Sequence, residues 1–157
     1  AVSTLSCCDD GEYTQPIQTD DYEIGCGICI ESIYPSIFRE QAEQGGEFFV
    51  IPTNDSWFGK SFARYAHYRH SILRAVENQR YTLRSGNCGI SAVITPWGEE
   101  SSAIKSSERG VISDSIKLLD EKSIYTVMGD GLYISLCVLY LAIRFFICST
   151  NSKIKSE

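Results

Sequence analysis

From Tyr22 the chain reads DYEIGCGICIES, where Ile24, Cys26, Ile28 and Ile30 alternate with small residues. This is the period of a strand buried on one or both faces, and it is predicted to run into a turn at Glu31 and Ser32. Ile33, Ile37, Phe38 and Ala42 then recur at helical spacing, with Pro35 where a first helical turn tolerates it and Gly45-Gly46 as the stop. Phe48 to Ile51 (FFVI) is a short apolar run of the kind found in a strand covered on both faces, closed by Pro52.

Thr53 to Lys60 (TNDSWFGK) reads as a polar loop with aromatics. It opens a helix predicted from about Ser61 to Gln79, in which Tyr65, Arg69, Ile72, Leu73 and Val76 line one face. Two strands, Tyr81 to Ser85 and Gly89 to Thr95, follow, joined at Gly86-Asn87, a dipeptide suited to positive φ. Pro96-Trp97-Gly98 is a turn, Glu99 to Arg109 is polar, and Gly110 to Ile116 alternates as one more strand. Strands interleaved with helices predict an α/β architecture, a sheet covered by helices.

Gly131 to Cys148 (GLYISLCVLYLAIRFFIC) is an almost unbroken apolar run, close to the lower limit of about 17 residues for crossing a bilayer core. It is expected to be a transmembrane helix, with Arg144 near enough to its end to snorkel; the competing reading is a buried helix in a soluble core. Lys153 and Lys155 in the tail (149–157) place that end on the cytoplasmic side, and everything before Gly131 on the outer side of the membrane. Residues 1–21 have neither an initiator Met nor the features of a signal peptide and read as an irregular, cut edge. The expected body of the domain is 22–130.

With 157 residues the chain has material for about one domain, and its 43% hydrophobic content is enough for a packed core. A net charge of −6, with no polybasic stripe, argues against nucleic acid as a partner. The 7 cysteines are too irregularly placed for a disulfide scaffold and form no grid for a tetrahedral metal, so neither metal nor cofactor is expected. Cys7-Cys8 is read as free thiols. Cys26 and Cys29 make one isolated CxxC, either two inward positions of a strand or a reactive pair.

Cys29 carries the most chemistry, because it falls at the carboxyl end of a predicted central strand just before a turn and a helix, where ligand crevices of α/β sheets open. A thiol there is nucleophilic if a base or nearby cations raise its thiolate fraction; otherwise it is an inert buried cysteine. Asn54 and Asp55 fit either a pocket wall or turn chemistry. His67 and His70 lie three apart on one helix with no carboxylate or cysteine partner at ligand spacing, which favours surface or packing roles. Arg74 and Glu77 form an i,i+3 pair.

Five strings in order resemble the carbon-nitrogen hydrolase (nitrilase) superfamily, and within it the apolipoprotein N-acyltransferases. GICIES (27–32) resembles the nucleophile strand, Cys-Tyr-Glu at its end, with Ile30 in place of the Tyr. TNDSWFG (53–59) is close to TNDAWFG. His67 followed by LRAVEN (73–78) is similar to QH…RAIE, with Ala66 where Gln is usual. RSGNCGISAVITPWGE (84–99) is similar to RAANTGISAVIDPDGR, with Cys88 for Thr, and SIYTVMGD (123–130) resembles the stretch before the last transmembrane helix.

The resemblance implies a nitrilase-like αββα sandwich, here its C-terminal part only, followed by one transmembrane helix, on the periplasmic side of a bacterial inner membrane. It implies acyl transfer from a phospholipid to the N-terminal amine of a diacylated lipoprotein through a thioester on Cys29, with no cofactor. Glu31 would support the nucleophile turn, the Ile30 backbone N–H would donate to the oxyanion, and Asn54, Asp55, Trp57 and Phe58 would shape the pocket. The family's general-base Glu and oxyanion Lys normally precede the nucleophile by far more than the 28 residues available here. Neither Glu31 nor Lys60 occupies those positions. The expectation is therefore a chain that works with an N-terminal remainder and has negligible activity alone. Two rivals are a soluble amidase or nitrilase remnant, and a noncatalytic membrane-tethered relic that binds lipid or lipoprotein.

Overall fold

The computed structural model describes residues 14–154, with side chains as far as Phe145. One six-stranded sheet runs in sequence order: β1 (Ile17–Gln18), β2 (Glu23–Cys26), β3 (Phe48–Asn54), β4 (Tyr81–Asn87), β5 (Ser91–Ile94) and β6 (Glu100–Ile104). The β2–β3–β4 core is parallel, and β1, β5 and β6 join it antiparallel. The crossovers carry α1 (Pro35–Glu43) and α2 (Ala63–Asn78), while α3 (Ile124–Met128) and α4 (Gly131–Ile154) follow the sheet.

Strand pairing settles which residues share a face. Gly25, Phe49 and Thr82 stand in register, as do Ile51, Arg84 and Ala92, and this face lies under the two crossover helices. Phe38 and Ala42 of α1 pack on Phe49 and Ile51, with the Phe38 and Phe49 rings edge-to-face at 5.0 Å. Tyr68 and Ala75 of α2 pack on Ala92 and Ile94. The opposite face carries Ile24, Cys26, Val50, Tyr81 and Leu83, each only half-buried.

Several expectations need correcting. The first strand stops at Cys26, and Ile28 and Ile30, expected inward, are exposed, because the chain leaves the sheet at Gly27 and turns. Nor is β2 central: only the two-residue β1 lies outside it. Pro52 does not end its strand; β3 continues to Asn54, since β2 has already stopped and no neighbour on that side needs an N–H there. The positive φ of the β4–β5 hairpin falls on Cys88 (+59°), not on Gly86-Asn87.

Residues 110–116 form no strand: the stretch pairs with no strand, Ile112 and Ile116 are only half-buried, and Val111 is 95% exposed. The last strand is instead β6, a serine-rich edge hidden in the stretch read as polar. Ser101 and Ser102 there donate to Asp114 Oδ2 at 2.5 and 2.9 Å.

The largest departure concerns α2. Tyr65, Arg69, Leu73 and Val76 do share a face, but it is the outer one; of the predicted five only Ile72 is half-buried, against the Tyr68–Ala75 cluster. The buried face is polar, made by Arg64, His67, Ser71, Arg74 and Asn78 with Tyr68 and Ala75. Polar groups tolerate burial only when hydrogen-bonded, and this face is knitted to the ends of β3 and β4.

The residues expected to span a membrane fall in α4, whose Tyr133, Ile134, Leu136, Val138, Leu139, Leu141 and Phe145 are all exposed. Among the described residues no helix is long and apolar enough to cross a membrane. The side chains of 146–148, the last of the expected span, lie outside the described residues, as does the Cys7-Cys8 pair. Cys26, Cys29, Cys88 and Cys137 are free thiols.

Candidate active site

The carboxyl ends of β2 and β3 set the site. Past Cys26 the Gly27 N–H still donates to the Val50 carbonyl, at 3.2 Å. Gly27 is obligatory, since a Cβ there would meet the Phe38 ring at 2.3 Å. The buried Gln41 side chain pins the strand end by donating to the Cys26 carbonyl and accepting from the Cys26 N–H, at 2.9 and 2.5 Å. Cys29 then opens a 3₁₀ turn, Cys29–Ile33, with φ +52°. A left-handed conformation costs a non-glycine residue roughly 1–2 kcal/mol, so neighbouring contacts must hold it.

Two sets of contacts do so. From the solvent side, Glu31 Oε2 accepts the Ile28 N–H at 2.6 Å while the Glu31 N–H donates to the Ile28 carbonyl at 3.0 Å. From beneath, His67 Nε2 stands 3.0 Å from the Cys29 carbonyl oxygen and 3.1 Å from Ser32 Oγ. Its Nδ1 lies 2.8 Å from Asp55 Oδ1, which also accepts from the Thr53 hydroxyl at 3.1 Å. Arg84 Nη2 donates to Asp55 Oδ2 at 2.9 Å, and Arg84 Nη1 to Ser71 Oγ at 2.8 Å. A Cβ on Gly89 would meet Asp55 Oδ2 at 2.0 Å, so only glycine lets the hairpin close over the carboxylate.

Ser32, His67 and Asp55 thus have the spacing of a Ser-His-Asp triad, but Ser32 is 0% exposed and no substrate reaches its hydroxyl. A backbone carbonyl only accepts, so the ring form that bonds Cys29 carries its hydrogen on Nε2. Nδ1 then either accepts from Arg84 Nη2, 3.1 Å away, or, in the doubly protonated ring, donates to Asp55. Burial alone would push the Asp55 carboxyl up. The His67 hydrogen bond, the Arg84 charge and the bonds from Arg84 and Thr53 outweigh it and hold the carboxyl below its usual range. In Cys26, by contrast, burial and then the Glu31 charge push the thiol up, away from reactivity.

Cys29 is half-buried, and Ile30, next in the turn, has an exposed side chain. Asn54 caps the second 3₁₀ turn, Asp55–Phe58, by accepting from the Ser56 N–H, and its Oδ1 also accepts from Asn87 Nδ2, each at 3.2 Å. Asp55 is buried beneath the Cys29 turn. Phe58 lies against the His67 ring at 5.5 Å, whereas Trp57 is 86% exposed and Lys60 is exposed in the loop. His67 was read as a packing or surface residue for want of a partner at ligand spacing. Its partners come from three other elements, the turn after β2, the turn after β3 and the strand β4, and only the shared TND and His motifs pointed to them.

His70, one turn along α2, has its protonated form disfavoured by burial and then by the charges of Arg74, His67 and Arg84. Unfolding restores an ordinary value near 6.5, so the unfolded state binds the extra proton and stability drops as pH falls through that value. The melting temperature of the wild type is therefore expected to fall more between pH 7.5 and 5.5 than that of His70→Gln. Parallel melting curves against pH would show that His70 is not the source.

A carbon-nitrogen hydrolase family model matches residues 4–124. Curated apolipoprotein N-acyltransferases are similar to the chain: that of Geobacter metallireducens is 32% identical over 120 residues, covering 76% of this chain and 23% of the relative. That of Rickettsia bellii is 37% identical over 125 residues, covering 79% and 23%. That of Wigglesworthia glossinidia brevipalpis is 33% identical over 149 residues, covering 92% and 28%. The chain thus spans about a quarter of the length of these relatives. Among solved structures, a carbon-nitrogen hydrolase from Helicobacter pylori G27 superposes with TM-score 0.57 at 19% identity, covering 65% of this chain and 43% of that one. Saccharomyces cerevisiae Nit3, of the nitrilase superfamily, gives 0.52 at 22% identity, covering 64% and 40%. These likenesses carry the fold.

Proposed function

Because the chain belongs to the carbon-nitrogen hydrolase family, we propose that it is the nucleophile-bearing part of an apolipoprotein N-acyltransferase. The observation that carries the reading is Cys29 itself: a free, half-buried thiol at φ +52°, at the carboxyl end of a parallel strand, on a turn clamped from both sides. In the first step its thiolate attacks the ester carbonyl of a phospholipid; the C–S bond forms, the ester C–O bond breaks, and a lysophospholipid leaves with a proton. In the second, the N-terminal amine of a diacylated lipoprotein attacks the thioester, giving the amide and returning the thiol. Splitting one ester-to-amide exchange in two is what a thiol nucleophile achieves. Ile30 supplies an N–H to the developing oxyanion, and Glu31 keeps the turn in shape.

Three features support a lipid substrate and a partner segment. Ile28 and Ile30, which flank Cys29 on its turn, and Trp57 on the turn that follows β3 are all exposed, an apolar surface suited to an acyl chain. Met128, Gly129 and Asp130 stand beside Pro35, Ser36 and Arg39, so α4 leaves the domain next to the nucleophile turn. Its uncovered apolar side chains suit a membrane anchor holding the site at the outer surface of a bacterial inner membrane, and argue against the soluble amidase. The half-buried second sheet face, with Ile24, Val50 and Leu83, is where the other sheet of an αββα sandwich would pack, bringing the base Glu and oxyanion Lys.

The test is a chimera in which residues 22–157 replace the matching stretch of the Geobacter metallireducens relative. It is expected to N-acylate a diacylated lipoprotein peptide in vesicles, read by mass spectrometry, while the 157-residue chain alone gives no product. A chimera that accumulates in membranes without acylating the peptide would contradict the reading.

A further inference from the structure

The peptide unit that follows Cys29 joins the nucleophile's carbonyl to the N–H of Ile30. It is trans, like every peptide bond among the described residues, so its C=O and N–H point to opposite sides of one rigid plane. Whatever fixes the carbonyl therefore aims the N–H. The group that fixes it is His67 Nε2, 3.0 Å from the oxygen. Ile30 lies in the first turn of the 3₁₀ segment, where N–H groups have no acceptor within the helix.

We propose that His67 is a positioning residue that sets the oxyanion donor through the Cys29–Ile30 peptide. This rests on the reading of Cys29 as nucleophile. The His67 ring is 4% exposed and is enclosed by Asp55, Arg84, Ser32 and Phe58, so it does not touch substrate and is not the general base. It acts from behind: in the doubly protonated ring Nδ1–H donates to Asp55, which Arg84 holds in place, and Nε2–H holds the carbonyl away from the site so that the N–H faces into it. A carbonyl that accepts a strong hydrogen bond also polarises its own peptide, which strengthens the N–H on the other side as a donor. Ser32, whose hydroxyl oxygen lies 3.1 Å from the same nitrogen, shares that one ring N–H with the carbonyl, so Nε2 is held between the two oxygens.

The test compares two reactions of the same thiol in the full chain. Acylation by p-nitrophenyl octanoate passes through a tetrahedral oxyanion: the C–S bond forms, p-nitrophenolate leaves, and the thiol proton goes to the buffer. Alkylation by iodoacetamide forms no oxyanion. Both are quantified on the Cys29 peptide by mass spectrometry. His67→Leu is expected to lower the acylation-to-alkylation ratio about 10- to 100-fold, as befits a donor misaimed rather than deleted. His67→Gln, which keeps an N–H able to reach the carbonyl, is expected to regain most of it. Should His67→Leu not fold, His67→Asn, too short to reach, is read in the same way. A ratio within about twofold of wild type in a folded variant, or no rescue by Gln, overturns the role of His67. In the chimera with the Geobacter relative, which supplies the base and the oxyanion Lys, an acyl label absent from Cys29 overturns the nucleophile reading instead.

Discussion

Arg84→Leu is expected to cost about 3–5 kcal/mol of folding stability, because it strands a buried charge. Arg84 and Asp55 side chains are both 0% exposed and meet at 2.9 Å. Without the guanidinium, the Arg84 charge and its hydrogen bond no longer oppose burial at Asp55, and its carboxyl rises, held down only by His67 and Thr53. At about 3–5 °C per kcal/mol for a domain of this size, the melting temperature falls by roughly 10–25 °C. The pH dependence changes with it. In the wild type the depressed carboxyl contributes stability that is present above the unfolded value near 3.9 and lost as pH falls through the lower folded value. In the variant that contribution is reduced and the acid transition begins at higher pH. Asp55→Leu combined with Arg84→Leu should lose less than the sum of the two single losses, as befits a coupled pair. A single-variant loss under about 1 kcal/mol would mean that the pair is not what holds the floor of the site.

The second large effect is on activity. In the chimera with the Geobacter relative, Cys29→Ser is expected to reduce kcat/KM for lipoprotein acylation by at least about 10⁴-fold, since the base and oxyanion site remain but the nucleophile becomes a poorly ionised hydroxyl. Cys26→Ser, three residues earlier, should change it by less than about threefold: Cys26 lies on the sheet face rather than on the turn, and burial keeps its thiol protonated. Equal losses in the two variants would point to folding rather than chemistry.

The parallel core of the fold was legible because its signals are local. FFVI between helical periods, Pro35 at a helix start and Gly45-Gly46 at its end each state a structure without reference to the rest of the chain, and each stands where expected. What failed was alternation taken alone. Ile28 and Ile30 continue the period of β2, yet the chain has already turned; Val111, in the stretch that alternates at 110–116, is exposed; and β6 (ESSAI) opens on glutamate and two serines at a sheet edge, where pairing rather than burial defines the strand.

The site divides in the same manner. Cys29 and Glu31 were visible from a strand-turn-helix string, and the structure adds what the string lacks, a left-handed φ and the carboxylate that caps the turn. His67 was hidden because its chemistry is assembled from three elements: Asp55 lies 12 residues before it, Arg84 17 after, and the Cys29 carbonyl 38 before. Its face of α2 looks like a solvated one, rich in Arg, His and Ser. Hydrophobic periodicity assigns such a face to water, and only the hydrogen bonds that tie His67, Arg74, Asn78 and Ser71 to the neighbouring elements allow burial.

The nucleophile is tested most directly by trapping it. Incubating the chimera with phospholipid vesicles and no lipoprotein acceptor, then digesting and mapping the peptides, is predicted to place one hydroxylamine-labile acyl group on Cys29 and none on Cys26 or Cys88. An acyl group on another residue, or a chimera that acylates lipoprotein while Cys29 stays unmodified under every trapping condition, would contradict the account.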